Sequence, residues 1–184
     1  MEGMGVTLLL SLITVVFGTI LGTVFALMRL SKSKILNIIS ETYTEIVRGI
    51  PLLLQLWVIY LLFSSALGKV GAVCLALLLN SAAYVAEIIR SGIQAVDKGQ
   101  VEASRSLGIN ANKTMTKIVL PQAVKNILPA LGNEFVTVIK ETSLSSVFYI
   151  GDLMTAKTII TTQTYLAIEP YIIIGIIYFI LTYT

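Results

Sequence analysis

The stretch GQVEASRSLGINANKTMTKIVLP, residues 99–121, is polar and basic, whereas the sequence on either side is dominated by long apolar runs. Residues 100–107 are good helix formers, and Gly108 stands where a left-handed C-terminal cap would close them. Asn110 is a suitable N-cap for a second helix over 111–120, and Pro121 is expected to end it. The stretch is therefore expected to form two short helices joined by a tight, glycine-dependent bend, a compact knuckle. Ala103, Ser104 and Ser106 keep the first helix thin on one side, while Val101, Ile109, Met115 and Ile118 supply apolar contacts. Small and apolar residues recurring at helical spacing argue for a docking element for another protein rather than a solvated loop.

Around this knuckle, 184 residues with 56% hydrophobic and only 12% charged side chains lie outside the range of a soluble domain. A mean hydropathy of +0.89 points the same way. The fold class expected is an all-α integral membrane protein. The single Cys74, inside an apolar run, excludes a disulfide framework, and the absence of His removes the commonest general base and metal ligand. The net charge of +3 does not indicate nucleic acid, because the basic residues flank apolar spans and act as topology signals.

Residues 6–28 carry no charge and are long enough to cross about 30 Å of hydrocarbon. Thr14, Gly18, Gly22 and Ala26 recur every four residues and give that helix one smooth face, fit for close packing against an unspecified partner. Five spanning helices in a single domain, 1–184, are expected at about 6–30, 38–67, 70–95, 119–141 and 166–184, with a cytoplasmic loop at about 97–121. Within them, 38–47 is mixed and interfacial, Pro51 kinks or restarts the helix, and 68–71 is a short external turn. The run KETSLSSVFYIGD, from Lys140 to Asp152, is a hydroxyl-rich break of the kind tolerated at membrane depth only when buried in protein or lining a cavity. Residues 154–169 form a Thr-rich external connection with a short helix at 158–166. The last helix is short for a span and lacks a basic end, so further chain is expected beyond it. Arg29, Lys32, Lys34, Arg48, Arg90, Lys98, Arg105, Lys113, Lys117 and Lys125 are ten of the 13 basic residues, and all fall on one side of this layout. That side is expected to be the cytoplasm, with the N-terminus outside.

Two motifs mislead. GINANKT, residues 108–114, is similar to a phosphate-binding loop, yet Lys113 occupies the second Gly position, so this chain is not expected to bind ATP. Asn112-Lys113-Thr114 has the form of a glycosylation sequon, without meaning on a cytoplasmic face.

Glu102, Ala103, Ser104, Gly108, Ile118, Leu120 and Pro121 reproduce the spacing of the EAA loop of ABC importer permeases, E-A-A-x3-G-x9-I-x-L-P, with Ser104 in place of the Ala at the third position. The likeness extends over nearly the whole chain. YTEIVRGIPLLLQLW, NSAAYVAEIIRSGIQAVDKGQVEASRSLGI, IVLPQAVKNILPALGNEF and KETSLSSV resemble the polar amino-acid uptake branch, the histidine, arginine and glutamine type. That resemblance implies a type I importer fold and alternating access. The implied partners are a second permease subunit, with a homodimer expected ahead of a heterodimer, ATPase subunits that bind ATP and Mg, and an external amino-acid-binding protein. It also implies a prokaryotic cell membrane. The knuckle would be the ATPase dock, with Gly99, Glu102, Ala103, Ser104, Gly108, Ile109, Ile118, Leu120 and Pro121 as its residues.

For the substrate, Tyr84 and Glu87 are expected to line one cavity with Glu141, Thr142 and Ser143 and to recognise a zwitterion. Arg90 or Lys140 is available to the substrate carboxylate, and Trp57 is read both as packing and as a pathway residue. Glu87 and Arg90, three apart on one helical face, are equally a simple ion pair, which matters because an unpaired charge in the bilayer costs about 3 kcal/mol. The acidic residues lean toward basic amino acids. An intramembrane enzyme would have only Glu87, Glu134 and Glu141 to work with. An ion-driven carrier would leave the knuckle without a task, and a scaffold would leave the intramembrane charges without a reason.

Overall fold

A computed structural model describes residues 2–183; Met1 and Thr184, the ends of the expected domain and of its last helix, lie outside the described residues. The described chain is helical, without strands. The elements are α1 (Glu2–Arg29), α2 (Lys34–Gly49), α3 (Leu52–Gln94), α4 (Lys98–Ser106), α5 (Ala111–Thr114), a π-helical segment (Met115–Val119), α6 (Leu120–Glu141), a 3-10 segment (Thr142–Phe148), α7 (Leu153–Thr164) and α8 (Glu169–Tyr183).

The polarity of α1 is inverted relative to a helix of a soluble protein. Its buried face is Gly3, Thr7, Leu10, Ser11, Thr14, Gly18, Gly22 and Ala26, while Leu9, Leu12, Phe17, Ile20 and Leu27 are more than half exposed. A hydrocarbon solvent makes that arrangement favourable. The small face packs on α3: a Cβ added at Gly22 would stand 2.7 Å from the Ala82 carbonyl oxygen and 2.7 Å from Val85 Cβ. The every-fourth-residue stripe thus has its partner within the same chain. By length and composition α1 and α3 can each cross a membrane, and α8 is a shorter apolar helix.

Several boundaries differ from the expected ones. The helix expected over 38–67 is two, because Pro51 lacks a donor and forces Ile50 into extended backbone (φ −105°, ψ 134°), so α2 stops at Gly49. The four-residue turn at 68–71 shrinks to one residue: Gly68 (φ 71°, ψ 170°) breaks α3 within an otherwise continuous 43-residue run. The second knuckle helix does not end at Pro121. Leu120 N–H donates to Met115 O, five residues back, and this widened turn carries the chain through Pro121 into α6. The expected helix at 158–166 lies at 153–164, where Asp152 caps it by accepting from Met154 and Thr155 N–H, and Tyr165 (φ 58°) ends it. That left-handed residue also delays the last helix, expected from 166, to Glu169.

Helices α3 and α6 run antiparallel. Ser81 meets Glu134, whereas Val96, at the far end of α3, packs with Val119, Ala123 and Ile127 at the start of α6. A second core gathers Leu56, Val73, Ala76, Leu77 and Phe148, joining the two halves of α3 to the 3-10 segment.

Candidate functional site

The knuckle is built by local capping. Asp97 opens α4, its Oδ1 accepting from Gly99 N–H at 2.6 Å. At the other end Ile109 N–H donates to Ser104 O (3.1 Å) and Gly108 N–H to Arg105 O (3.0 Å), with Gly108 at φ 77°, the paired bonds of a Schellman turn. Asn110 Oδ1 then accepts from Lys113 N–H at 2.9 Å and starts α5. Across the bend, Ser104 Oγ and Thr114 Oγ1 lie 2.7 Å apart, both residues buried. Because Thr114 Oγ1 donates to Asn110 O, Ser104 is the donor of that pair. The Ser at the third position of the EAA spacing is therefore a clamp between the two short helices.

Glu102, Ala103 and Gly108 are exposed on the tip, as are Leu120 and Pro121 farther along; Ile109 and Ile118 are half-buried, and Gly99 is exposed at the start of α4. Val101, expected as a docking contact, instead packs into the base cluster with Val96, Val119, Ala123 and Ile127. The apolar residue that projects most is Leu107, 80% exposed. Sequence reasoning passed over it because its position, the residue before the turn glycine, marks a helix end and not a contact.

The other expected site residues fall into two groups. Nearer the knuckle, the Glu87 carboxylate takes Arg90 at 2.5 Å and, at 3.8 Å, Arg48 of α2, whose guanidinium also lies 5.5 Å from the Tyr84 ring centroid. At the opposite end, Glu141 closes α6, Lys140 beside it is exposed, and Thr142 is fully buried. Counted in opposite directions from the Ser81–Glu134 contact, Glu87 and Glu141 are separated by roughly 20 Å of helix axis. The single cavity expected for Tyr84, Glu87, Glu141, Thr142 and Ser143 is not formed within this subunit, because α3 and α6 are antiparallel. The hydroxyls of the break also serve the backbone: Thr142 Oγ1 donates to Ile139 O (2.7 Å), Ser145 to Thr142 O, and Ser146 to Ser143 O (2.7 Å). Trp57 packs edge-on against Phe148, centroids 4.8 Å apart, and against Tyr60.

Between the groups lies a polar layer. Ser81 Oγ donates to Glu134 Oε1 at 3.0 Å, and Asn80 Nδ2 donates to Gln55 Oε1 at 3.3 Å. Gln55 in turn donates to Val47 O and Ile50 O, closing the gap left by Pro51. Asn80 Oδ1 is buried without a partner among the described residues. Asn80 and Ser81 head the run NSAAYVAEIIRS, so a pair of polar residues amid apolar helix was the available signal.

Residues 7–184 match the family described as binding-protein-dependent transport system inner membrane component. The chain belongs to this family. The permease is 43% identical over 185 residues to the arginine transport system permease protein ArtQ of Bacillus subtilis (strain 168), covering 98% of this chain and 84% of that one. It is 43% identical over 186 residues to a putative glutamine transport system permease protein GlnP of Rickettsia bellii (strain RML369-C), with the same coverage. The nopaline transport system permease protein NocM of Agrobacterium fabrum (strain C58 / ATCC 33970) is 39% identical over 190 residues, covering 96% of this chain and 79% of that one. A crystal structure of an amino acid ABC transporter with histidines superposes with a TM-score of 0.92 at 46% identity, over 98% of this chain and 86% of that one. The inward-facing MetNI methionine ABC transporter, at 19% identity over 98% of this chain and 88% of that one, has a TM-score of 0.82 and bears on the fold alone.

The permease is thus a type I membrane subunit of an amino acid ABC transporter in a prokaryotic inner membrane, and it is not an enzyme. ATP hydrolysis belongs to a separate subunit, and an ATPase and a binding protein are its partners as a class. Among the described residues no set of three metal-ligating side chains gathers.

Proposed function

We propose that the permease imports polar amino acids, basic ones preferentially, as one of two identical permease subunits, and that the knuckle docks the ATPase. The observation that carries this reading is the knuckle itself: an exposed Leu107 on a turn whose conformation is set by paired backbone bonds, with a base packed against both α3 and α6. In this reading the five spans of a single domain put the N-terminus outside and the knuckle in the cytoplasm, where the partner binds ATP and Mg. Gly99, Glu102, Ala103, Ser104, Gly108, Ile109, Ile118, Leu120 and Pro121, with Leu107, form the dock.

The substrate meets stations instead of one pocket. Glu141 with Thr142 and Ser143 stand at the outer end, Glu134 with Ser81 and Asn80 at the middle, and Tyr84, Glu87, Arg90 and Arg48 at the inner end. Trp57 stiffens the outer station, and Lys140 is free to meet a carboxylate. Two carboxylates in the outer half favour a cationic side chain or an ammonium.

The test is reconstitution of the transporter with its genomic-neighbour ATPase and binding protein in vesicles. ATP-driven uptake of arginine that falls at least tenfold in Glu134→Gln, while glutamine uptake falls less, supports the reading. Uptake driven by an ion gradient without ATP would overturn the coupling, and unchanged substrate preference in Glu134→Gln and Glu141→Gln would overturn the stations.

A further inference from the structure

Helices α7 and α8 meet at the end of the bundle that carries the N-terminus of α1, where Leu153 N–H donates to Thr7 Oγ1 at 3.1 Å. A cavity of about 250 Å³ lies between them and belongs neither to the knuckle nor to the polar layer. Its wall is aliphatic, with Ile160 and Leu166 on one side and Ile173, Ile174 and Ile177 running down α8. Only two ionisable side chains line it, Lys157 and Glu169.

Lys157 is 7% exposed, and its Nζ stands 4.0 Å from the Tyr171 ring centroid. Among the described residues, ion pairs within 4.0 Å involve Arg29, Arg48 and Arg90, so the Lys157 ammonium has no carboxylate and Glu169, exposed at the mouth, has no cation. The aromatic face is a weaker partner for that cation than an anion would be, and the Lys157 stem is held against the apolar wall. Two opposite charges that share an apolar cavity without meeting are both satisfied by one kind of ligand: a zwitterion with a hydrocarbon tail.

We infer that this cavity holds an amine-bearing phospholipid of the phosphatidylethanolamine type, its phosphate on Lys157, its ammonium at Glu169 and an acyl chain along Ile173, Ile174 and Ile177. The aliphatic wall descends a helix whose Ile172, Ile176, Phe179 and Ile180 are themselves exposed, which places the chain in the bilayer. An acidic loop of a soluble partner would satisfy Lys157 but leave that wall bare. An anionic lipid would satisfy Lys157 and meet Glu169 with like charge.

The assembled transporter, delipidated in mild detergent, is offered equimolar phosphatidylethanolamine, phosphatidylglycerol and phosphatidylcholine. Retained lipid is counted by native mass spectrometry, and the thermal midpoint is followed with each lipid alone. Phosphatidylethanolamine is expected to be retained about tenfold over the other two, as one charge-assisted N–H bond to Glu169 that neither choline nor glycerol can supply allows, and to raise the midpoint most. Lys157→Met should abolish the preference, Glu169→Gln should bring the ethanolamine and glycerol lipids level, and Lys69→Met, an exposed control that does not line the cavity, should change nothing. A preference for phosphatidylglycerol, equal retention of all three, or a preference surviving in Lys157→Met would overturn the inference. A midpoint shift reproduced by free phosphoethanolamine would overturn it too, by showing a site for a soluble zwitterion. Should Lys157→Met fail to assemble, the unsubstituted protein and Glu169→Gln decide.

Discussion

Gly108 separates the shape of the knuckle from its stability. At φ 77° it holds the left-handed conformation that an L side chain adopts at a cost of about 1–2 kcal/mol. A Cβ added there meets no atom within 4 Å, so the cost is conformational and no packing is lost. If the partner needs this turn, the same 1–2 kcal/mol appears as an affinity loss of about fivefold to thirtyfold for the ATPase in Gly108→Ala. Gly108→Asn, which tolerates the left-handed region, should stay within about threefold of the parent. Gly108→Arg adds a long side chain at the exposed tip and should abolish uptake while the permease still inserts and folds. The assay is ATP-driven uptake by the reconstituted transporter, alongside ATPase retention on the tagged permease. Normal uptake in Gly108→Arg, or Asn behaving no better than Ala, would refute the reasoning.

Other consequences are local. Gly22→Val places side-chain atoms where a Cβ already lies 2.7 Å from Ala82 O, and should lower the thermal midpoint of the purified permease by several degrees, whereas Gly175→Ala, with nothing within 4 Å, should not. Thr114→Val leaves the buried Ser104 hydroxyl without its acceptor and should cost about 1–3 kcal/mol, more than Ser104→Ala, read as faster amide exchange at Ile109 and Thr114. Glu87→Gln leaves Arg48 and Arg90 without their shared counter-charge, and should destabilise the permease by about 1 kcal/mol at low salt and by less in 0.5 M salt.

What could be read in advance was whatever the chain settles within a few residues. Gly108, Asn110 and Pro51 act on their neighbours, so the turn, the cap and the break were legible from residue type alone. Pro121 was misjudged because one bond to Met115 O, five residues back, lets the helix pass a residue that ordinarily ends it. The site was less legible. Glu87 and Glu141 looked like companions because both are acidic residues in spans, yet their distance depends on the antiparallel register of α3 and α6, which the Ser81–Glu134 contact reveals. Residue type marks Ser104 only as small enough to keep the first helix thin, because its clamping role depends on a partner ten residues onward. The composition of 142–146 marks a hydroxyl-rich break, but three of those hydroxyls are consumed by nearby carbonyls, those of Ile139 at the end of α6 and of Thr142 and Ser143 in the 3-10 segment.

In the proposed reading, the base of the knuckle is where a push from the docked ATPase reaches the polar layer. Val96 precedes the first short helix and Val101 lies in its first turns, Val119 and Ala123 follow the second, and all four belong to or pack on one apolar cluster. A displaced knuckle therefore carries α3 and α6 with it, and cannot swing on one of them alone. From Val96 to Ser81 is roughly 22 Å of helix. A tilt of about 5° between α3 and α6 about that base moves Ser81 by roughly 2 Å, enough to break its 3.0 Å bond to Glu134. The freed carboxylate would then need a new donor, and an entering ammonium supplies one. In the proposed reading, docking at the knuckle and binding at Glu134 are opposite ends of a single lever, so a variant that softens the base cluster, such as Ala123→Gly, should weaken the coupling of ATP hydrolysis to uptake without touching either end.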